Sequence, residues 1–279
     1  MKFTGTFDLD ALCTPEAMHR TLDNREDAAR IGAAYKTRLY RMQHEGAEWF
    51  GAGSVEELAG VVARGTAEGT ARVEQARREC AALTLPAART IKPVWSERHL
   101  IGTRMDVNAM LAGQPRAWGR FERTRVAHGN RTAVLYIPLG ANAGTSASDL
   151  GWQPVAGVVV ADLLEAAGYR CEIWADAASY GGGSTVTART LIKRAESPID
   201  LNAIARVTHP AIFRGVFVGW QANVAARNGV RLGAGYGSSQ TPSAADFGDE
   251  NAIQIRRAIG LPATVAEIKR VIAQFGGES

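Results

Sequence analysis

Long apolar runs are missing from this chain. No stretch of its 279 residues approaches the roughly 18–20 consecutive apolar positions that a membrane-crossing helix needs, so no membrane partner is expected. The first residues, MKFTGTFDLD, have one early lysine but no apolar segment behind it, which argues against a secretory signal. Cysteine is scarce. Cys13, Cys80 and Cys171 are far apart and odd in number, a pattern that fits reduced, buried thiols in a cytoplasmic protein better than a disulfide framework or a zinc site. His19, His44, His99, His128 and His209 share no metal-ligand spacing, no serine stands in a nucleophile elbow, and no internal repeat is visible. What remains is 46% hydrophobic and 22% charged, an ordinary globular composition with enough length for one large domain or two small ones.

The organising stretch is Thr132–Asp176. Ala133 to Ile137 is an apolar run of strand length, bounded by Pro138 and Gly140. A small polar loop follows, then an apolar segment of helical length from Val155 to Ala167, which Gly168 stops. Tyr169–Ala175 reads as a second strand. Strand, loop, helix and strand form the building block of an open α/β sheet, where ligands bind at the carboxyl edge, so the Gly140–Ser148 loop is the first place to look for chemistry. Asp162 and Glu165, one turn apart on the helix, read as a solvent-facing edge and not as an acid/base pair. Gly181-Gly182-Gly183 joins the second strand to Thr185–Ile192 as a hairpin, which predicts an antiparallel strand at the sheet edge. A helix over Ala211–Ala226, a strand at Val230–Leu232 leading into GAGYGSS, and a final helix opened by Thr264 and Glu267 complete this half.

The other half reads differently. Residues 1–45 are expected to be mostly helix, with Thr14 as an N-cap and Pro15 at the first helical position. Ser54 and Glu57 make a capping box for the next helix, and another spans roughly Glu68–Leu83. Pro86, Pro93, Pro115, Gly102 and Gly113 break residues 86–131 into irregular connections and short strands. The organisation expected is a helical amino-terminal region with an irregular basic segment (1–125), followed by an α/β domain (126–279).

Charge is unevenly spread. Residues 60–131 hold 13 cations, all but one of them arginine, against 6 anions; residues 1–59 are net −3 and residues 132–279 are neutral. Within the basic segment Trp95, Trp118 and Phe121 are interleaved with Arg98, Arg116, Arg120, Arg123 and Arg125. Tryptophans among arginines can stack bases and pair phosphates of single-stranded DNA or RNA. The same pattern also fits core aromatics with salt-bridged arginines on a solvated face.

The phrases WFGAGSVEELAGVVARG, DVNAMLAGQPRAW, VVVADLLEAAGYRCEIWA and SPIDLNAIARVTHPAIFR resemble those of an uncharacterised family common in bacteriophage genomes, over about residues 49–275. The order of strand, helix, edge hairpin, helix pair, strand and final helix is similar to that of a von Willebrand factor A-like domain. The resemblance implies an α/β fold in a phage or prophage protein: a von Willebrand A-like open sheet, mainly parallel with an antiparallel edge strand. It brings no established activity. Such domains hold Mg2+ with Asp-x-Ser-x-Ser after the first strand. Here Pro138 replaces the Asp, Gly140 the first Ser and Asn142 the second, which removes the negative charge a divalent ion requires. No metal and no cofactor are therefore expected, and Pro138, Gly140, Asn142, Thr145 and Ser146 remain as a degenerate ligand loop. That loop also lacks the lysine and spacing of a phosphate-binding loop. The function expected is a non-enzymatic interaction module for a phage or host protein, or for single-stranded nucleic acid in transcription or replication. The alternative is a phosphate-ester or nucleotide hydrolase using Gly140–Ser148.

Overall fold

Among the described residues the main sheet has six strands, five of them in the order β1 (Lys2–Thr6), β7 (Ser184–Lys193), β6 (Tyr169–Gly181), β5 (Arg131–Pro138) and β9 (Ile253–Gln254). The structure, a computed structural model, describes residues 1–23, 38–44, 47–83, 85, 89–127, 131–142, 144–181, 183–200, 205–230 and 239–276, without the side chains of 38, 41, 89–95, 97–98, 121–127, 239–240 and 245. Pairing is parallel for β1–β7, β6–β5 and β5–β9, and antiparallel only for the β6–β7 hairpin along this path. A short strand β8 (Ser239–Gln240) adds to β6 beyond the end of β5. The chain is thus a mixed α/β protein with a mostly parallel sheet.

The antiparallel strand is not at the edge. β7 is covered by β1, which also corrects the expectation of helix at the start of the chain. Lys2-Phe3-Thr4-Gly5-Thr6 alternates with period two and is rich in strand-forming Phe and Thr, a local signal that the surrounding helical pattern masks. Gly5 is needed there, because a Cβ would stand 2.5 Å from the Trp220 ring.

Among the described residues six longer helices accompany the sheet: α1 (Pro15–Leu22), α2 (Val55–Arg64), α3 (Ala67–Glu79), α4 (Val155–Ala166), α5 (Val218–Arg227) and α6 (Gly260–Gly276). Thr14 caps α1 with Pro15 at its first position, and Ser54 accepts the Glu57 N–H at 3.1 Å while Glu57 accepts that of Gly53 at 2.7 Å. Gly168, at φ 94°, lets the chain turn from α4 straight into β6. The last helix starts earlier than its sequence suggests: Thr264 lies inside α6, buried, and donates back to the Gly260 carbonyl at 2.9 Å. The expected strand at Val230–Leu232 falls largely outside the described residues.

The period of two along each strand separates two chemistries. Leu135 and Ile137 of β5, Ile173, Ala175 and Ala177 of β6, and Ala188 of β7 point to the helices and share one buried cluster with Leu58, Val158 and Ile268. Residues on both sides of position 125 contribute to that cluster. The opposite face carries Tyr136, Trp174, Asp176, Thr187 and Arg189, and is partly covered by the 239–252 segment.

Residues 89–127 form a separate three-stranded antiparallel sheet, β2 (Arg89–His99), β4 (Trp118–Ala127) and β3 (Arg104–Met105), in that order. Strands of 11 and 10 residues therefore stand where irregular connections and short strands were expected. Pro93 lies on an edge strand, where proline is tolerated within a sheet. Between β3 and β4, Asp106 caps a short helix, Val107–Leu111, and Gly113 at φ 70° ends it.

Candidate functional site

The loop after β5 is buried at its start and exposed at Asn142, Gly144 and Ser146. Pro138, Gly140 and Ala141 are buried, and the Leu139 N–H donates to the Asp176 carbonyl at 2.8 Å. Gly140 offers its carbonyl to Gln153 at 3.5 Å; Asn142 is exposed and accepts the Thr145 N–H at 3.0 Å through its own carbonyl. Ser146 caps the short helix Ala147–Leu150: its hydroxyl accepts the Asp149 N–H at 3.0 Å and donates to the Asp149 carboxylate at 2.7 Å. The Thr145 carbonyl accepts from Arg214, which also donates to the Trp49 carbonyl. Arg214 is almost fully buried, its guanidinium 4.3 Å from the Trp49 ring centroid, on a π-helical segment, Ile212–Phe217, that runs into α5. Among the described residues no three His, Cys, Asp or Glu side chains are placed to hold a metal ion.

Other side chains singled out in the sequence have structural partners. Asp162 pairs with Arg77 at 3.0 Å, and Glu165 pairs with the buried Lys193 at 2.6 Å and accepts the Cys171 N–H. These carboxylates tie α4 to α3 and to the sheet, so they do not form a free solvent edge. His209 is largely buried before the helix start, and burial holds its imidazole below the ordinary value.

The arginine–tryptophan segment falls on the small sheet. Trp118, Arg120, Arg123 and Arg125 lie on β4 and Trp95 and Arg98 on β2, with Trp95 opposite Phe121 and Pro93 opposite Arg123. Arg116, Trp118 and Arg120 are exposed; the side chains of Trp95, Arg98, Arg123 and Arg125 lie outside the described residues. Beside Trp118 an open cleft of about 730 Å³ is lined by Arg104, Asp106, Asn108, Gln114 and Arg116.

A second polar cluster, on the open face of the main sheet, escaped sequence reasoning. Asp176 has no solvent exposure, and neither carboxylate oxygen has a hydrogen-bond partner. Burial drives its pKa up to about 8; the nearby Gln254 amide opposes the rise without completing a hydrogen bond, and Asp246 adds to it. The Thr187 hydroxyl and both Gln254 amide atoms are likewise buried and unpartnered. Alongside, Tyr136 donates to Asp249 and accepts from Arg189, whose Nη1 is 3.2 Å from the same carboxylate. The Arg189 guanidinium lies 4.4 Å from the Trp174 ring centroid and 4.6 Å from that of Phe247. Burial, and then the hydrogen bond to Asp249, raise the Tyr136 pKa well above its ordinary value. The signal was present in the sequence: Glu172, Trp174 and Asp176 alternate with Cys171, Ile173 and Ala175, so the strand has one polar face.

Comparison with known families assigns the chain to a class before it says anything of chemistry. The chain belongs to the family described as a domain of unknown function, DUF7192, which it matches over residues 16–272. No curated protein matches it. No solved structure matches it.

Proposed function

We propose that this chain is a non-enzymatic interaction module of a phage or prophage, a von Willebrand A-like scaffold without its metal motif, which engages a macromolecular partner through its small basic sheet. The strand order β7-β6-β5-β9, with β7 antiparallel, supports the A-like reading. One observation carries the functional reading: every polar group of the 138–146 loop given a partner above serves the fold, through a cap, a turn or the Arg214 anchor. That loop offers no carboxylate to a cation, and its Ser146 hydroxyl is already committed to Asp149. The exposed Arg116, Trp118 and Arg120 instead suit single-stranded DNA or RNA, with arginines on phosphates and Trp118 under a base.

Fluorescence anisotropy with labelled oligonucleotides over a salt series tests this. Binding with little sequence preference should weaken steeply with salt and be lost in Arg116→Glu with Arg120→Glu. Flat anisotropy at low salt removes nucleic acid and leaves a phage or host protein as the partner. Calorimetric binding of Mg2+ or Mn2+ tighter than about millimolar would overturn the loss of the metal motif.

A further inference from the structure

We propose that the tip of the small sheet is an interfacial anchor that docks on an anionic lipid surface. Of the large apolar side chains that stand exposed in the described protein, most are concentrated between residues 100 and 118. Leu100 and Ile101 are 65% and 79% exposed in the crossover from β2 to β3. Val107, Met110 and Leu111 are 55%, 56% and 82% exposed on the helix that follows. Their i, i+3, i+4 spacing is that of a helix face meant for burial, yet here it meets water.

Both turns lie at the same end of the sheet. His99 and Met105 each pair with Trp118, the first residue of β4, so the 100–103 crossover and the 107–111 helix lie at the same strand end. Arg104 and Arg116 stand beside them, exposed and without an ion pair among the described residues. Aliphatic side chains beside the two exposed guanidiniums of Arg104 and Arg116 match the boundary between acyl chains and anionic headgroups. Nucleic acid gains little from the same surface, because Leu, Ile, Val and Met offer no ring for a base to stack on. Arg116 is shared with the nucleic-acid reading above, whereas Leu100, Ile101, Val107, Met110 and Leu111 are not, so the Ile101/Leu111 pair separates the two. The inference concerns attachment to a surface, not insertion across one, and no helix among the described residues is long and apolar enough to cross a membrane.

Vesicle flotation tests it, using phosphatidylcholine alone and phosphatidylcholine mixed with phosphatidylglycerol. The protein should float with the anionic vesicles at low salt and dissociate as salt is raised. Ile101→Glu with Leu111→Glu should lower vesicle affinity about tenfold or more, with unchanged thermal stability because both positions are exposed. Arg104→Gln with Arg116→Gln should weaken binding and flatten its salt dependence. Absence of flotation on anionic vesicles overturns the proposal, as does flotation that survives the Ile101/Leu111 pair. A wild-type dimer that the same pair dissolves, without flotation, would give the patch to a second copy of the chain.

Discussion

Replacing Asp176 with Asn should make the protein more stable, by an amount that depends on pH. The carboxyl sits at the centre of the sheet with no exposure and no hydrogen-bond partner for either oxygen. In the unfolded chain it ionises near 4; in the folded protein burial raises this to about 8. Between those values the folded state holds a proton that the unfolded chain has released, so stability falls as pH rises through that window and levels off above about 8. At about 1.4 kcal/mol per unit over about four units, the full loss is at most about 5–6 kcal/mol. Asn keeps the shape and cannot ionise, so Asp176→Asn should match wild type near pH 4 and exceed it by several kcal/mol at pH 8. Urea unfolding followed by circular dichroism at pH 5, 6, 7 and 8 measures the difference, and subtraction of wild type from variant cancels the other titrating groups. A difference that stays constant across that range would refute a neutral buried Asp176. So would a variant that loses stability relative to wild type as pH rises.

Two other predictions concern the loop after β5. Arg214→Leu should cost about 2–4 kcal/mol, because the carbonyls of Trp49 and Thr145 lose a shared charged donor, and Arg214→Lys should recover little since one ammonium cannot reproduce the fork and the stacking on Trp49; chemical denaturation reads both. Ser146→Ala should cost about 0.5–2 kcal/mol as a lost helix cap, and neither wild type nor the Thr145→Ala, Ser146→Ala pair should show a thermal shift with nucleotides and Mg2+. A nucleotide shift that the pair abolishes would favour the hydrolase reading instead.

Much of the fold was written locally. The α4 helix and its stop at Gly168, the cap pairs at Thr14 and Ser54, and the β6–β7 hairpin follow from periodicity and turn chemistry, which act over a few residues. The charge asymmetry that picks out residues 60–131 is likewise a property of the sequence alone. Three things were decided only by tertiary contact. Strand β1 pairs with a β7 some 180 positions later, a partner no local window contains. Asp176 carries its altered chemistry because β5, β7 and the 239–252 segment exclude water from it, and exclusion of water is a collective effect of distant chain. Arg214 holds Trp49 and Thr145 together through carbonyls that every residue possesses, so its role has no side-chain signature in the sequence. The sequence by itself determined the strand–helix–strand unit of β5, α4 and β6, the hairpin and the capped helices; the third dimension decided which polar groups are cut off from water, because desolvation depends on what packs above a residue and not on its neighbours in the chain.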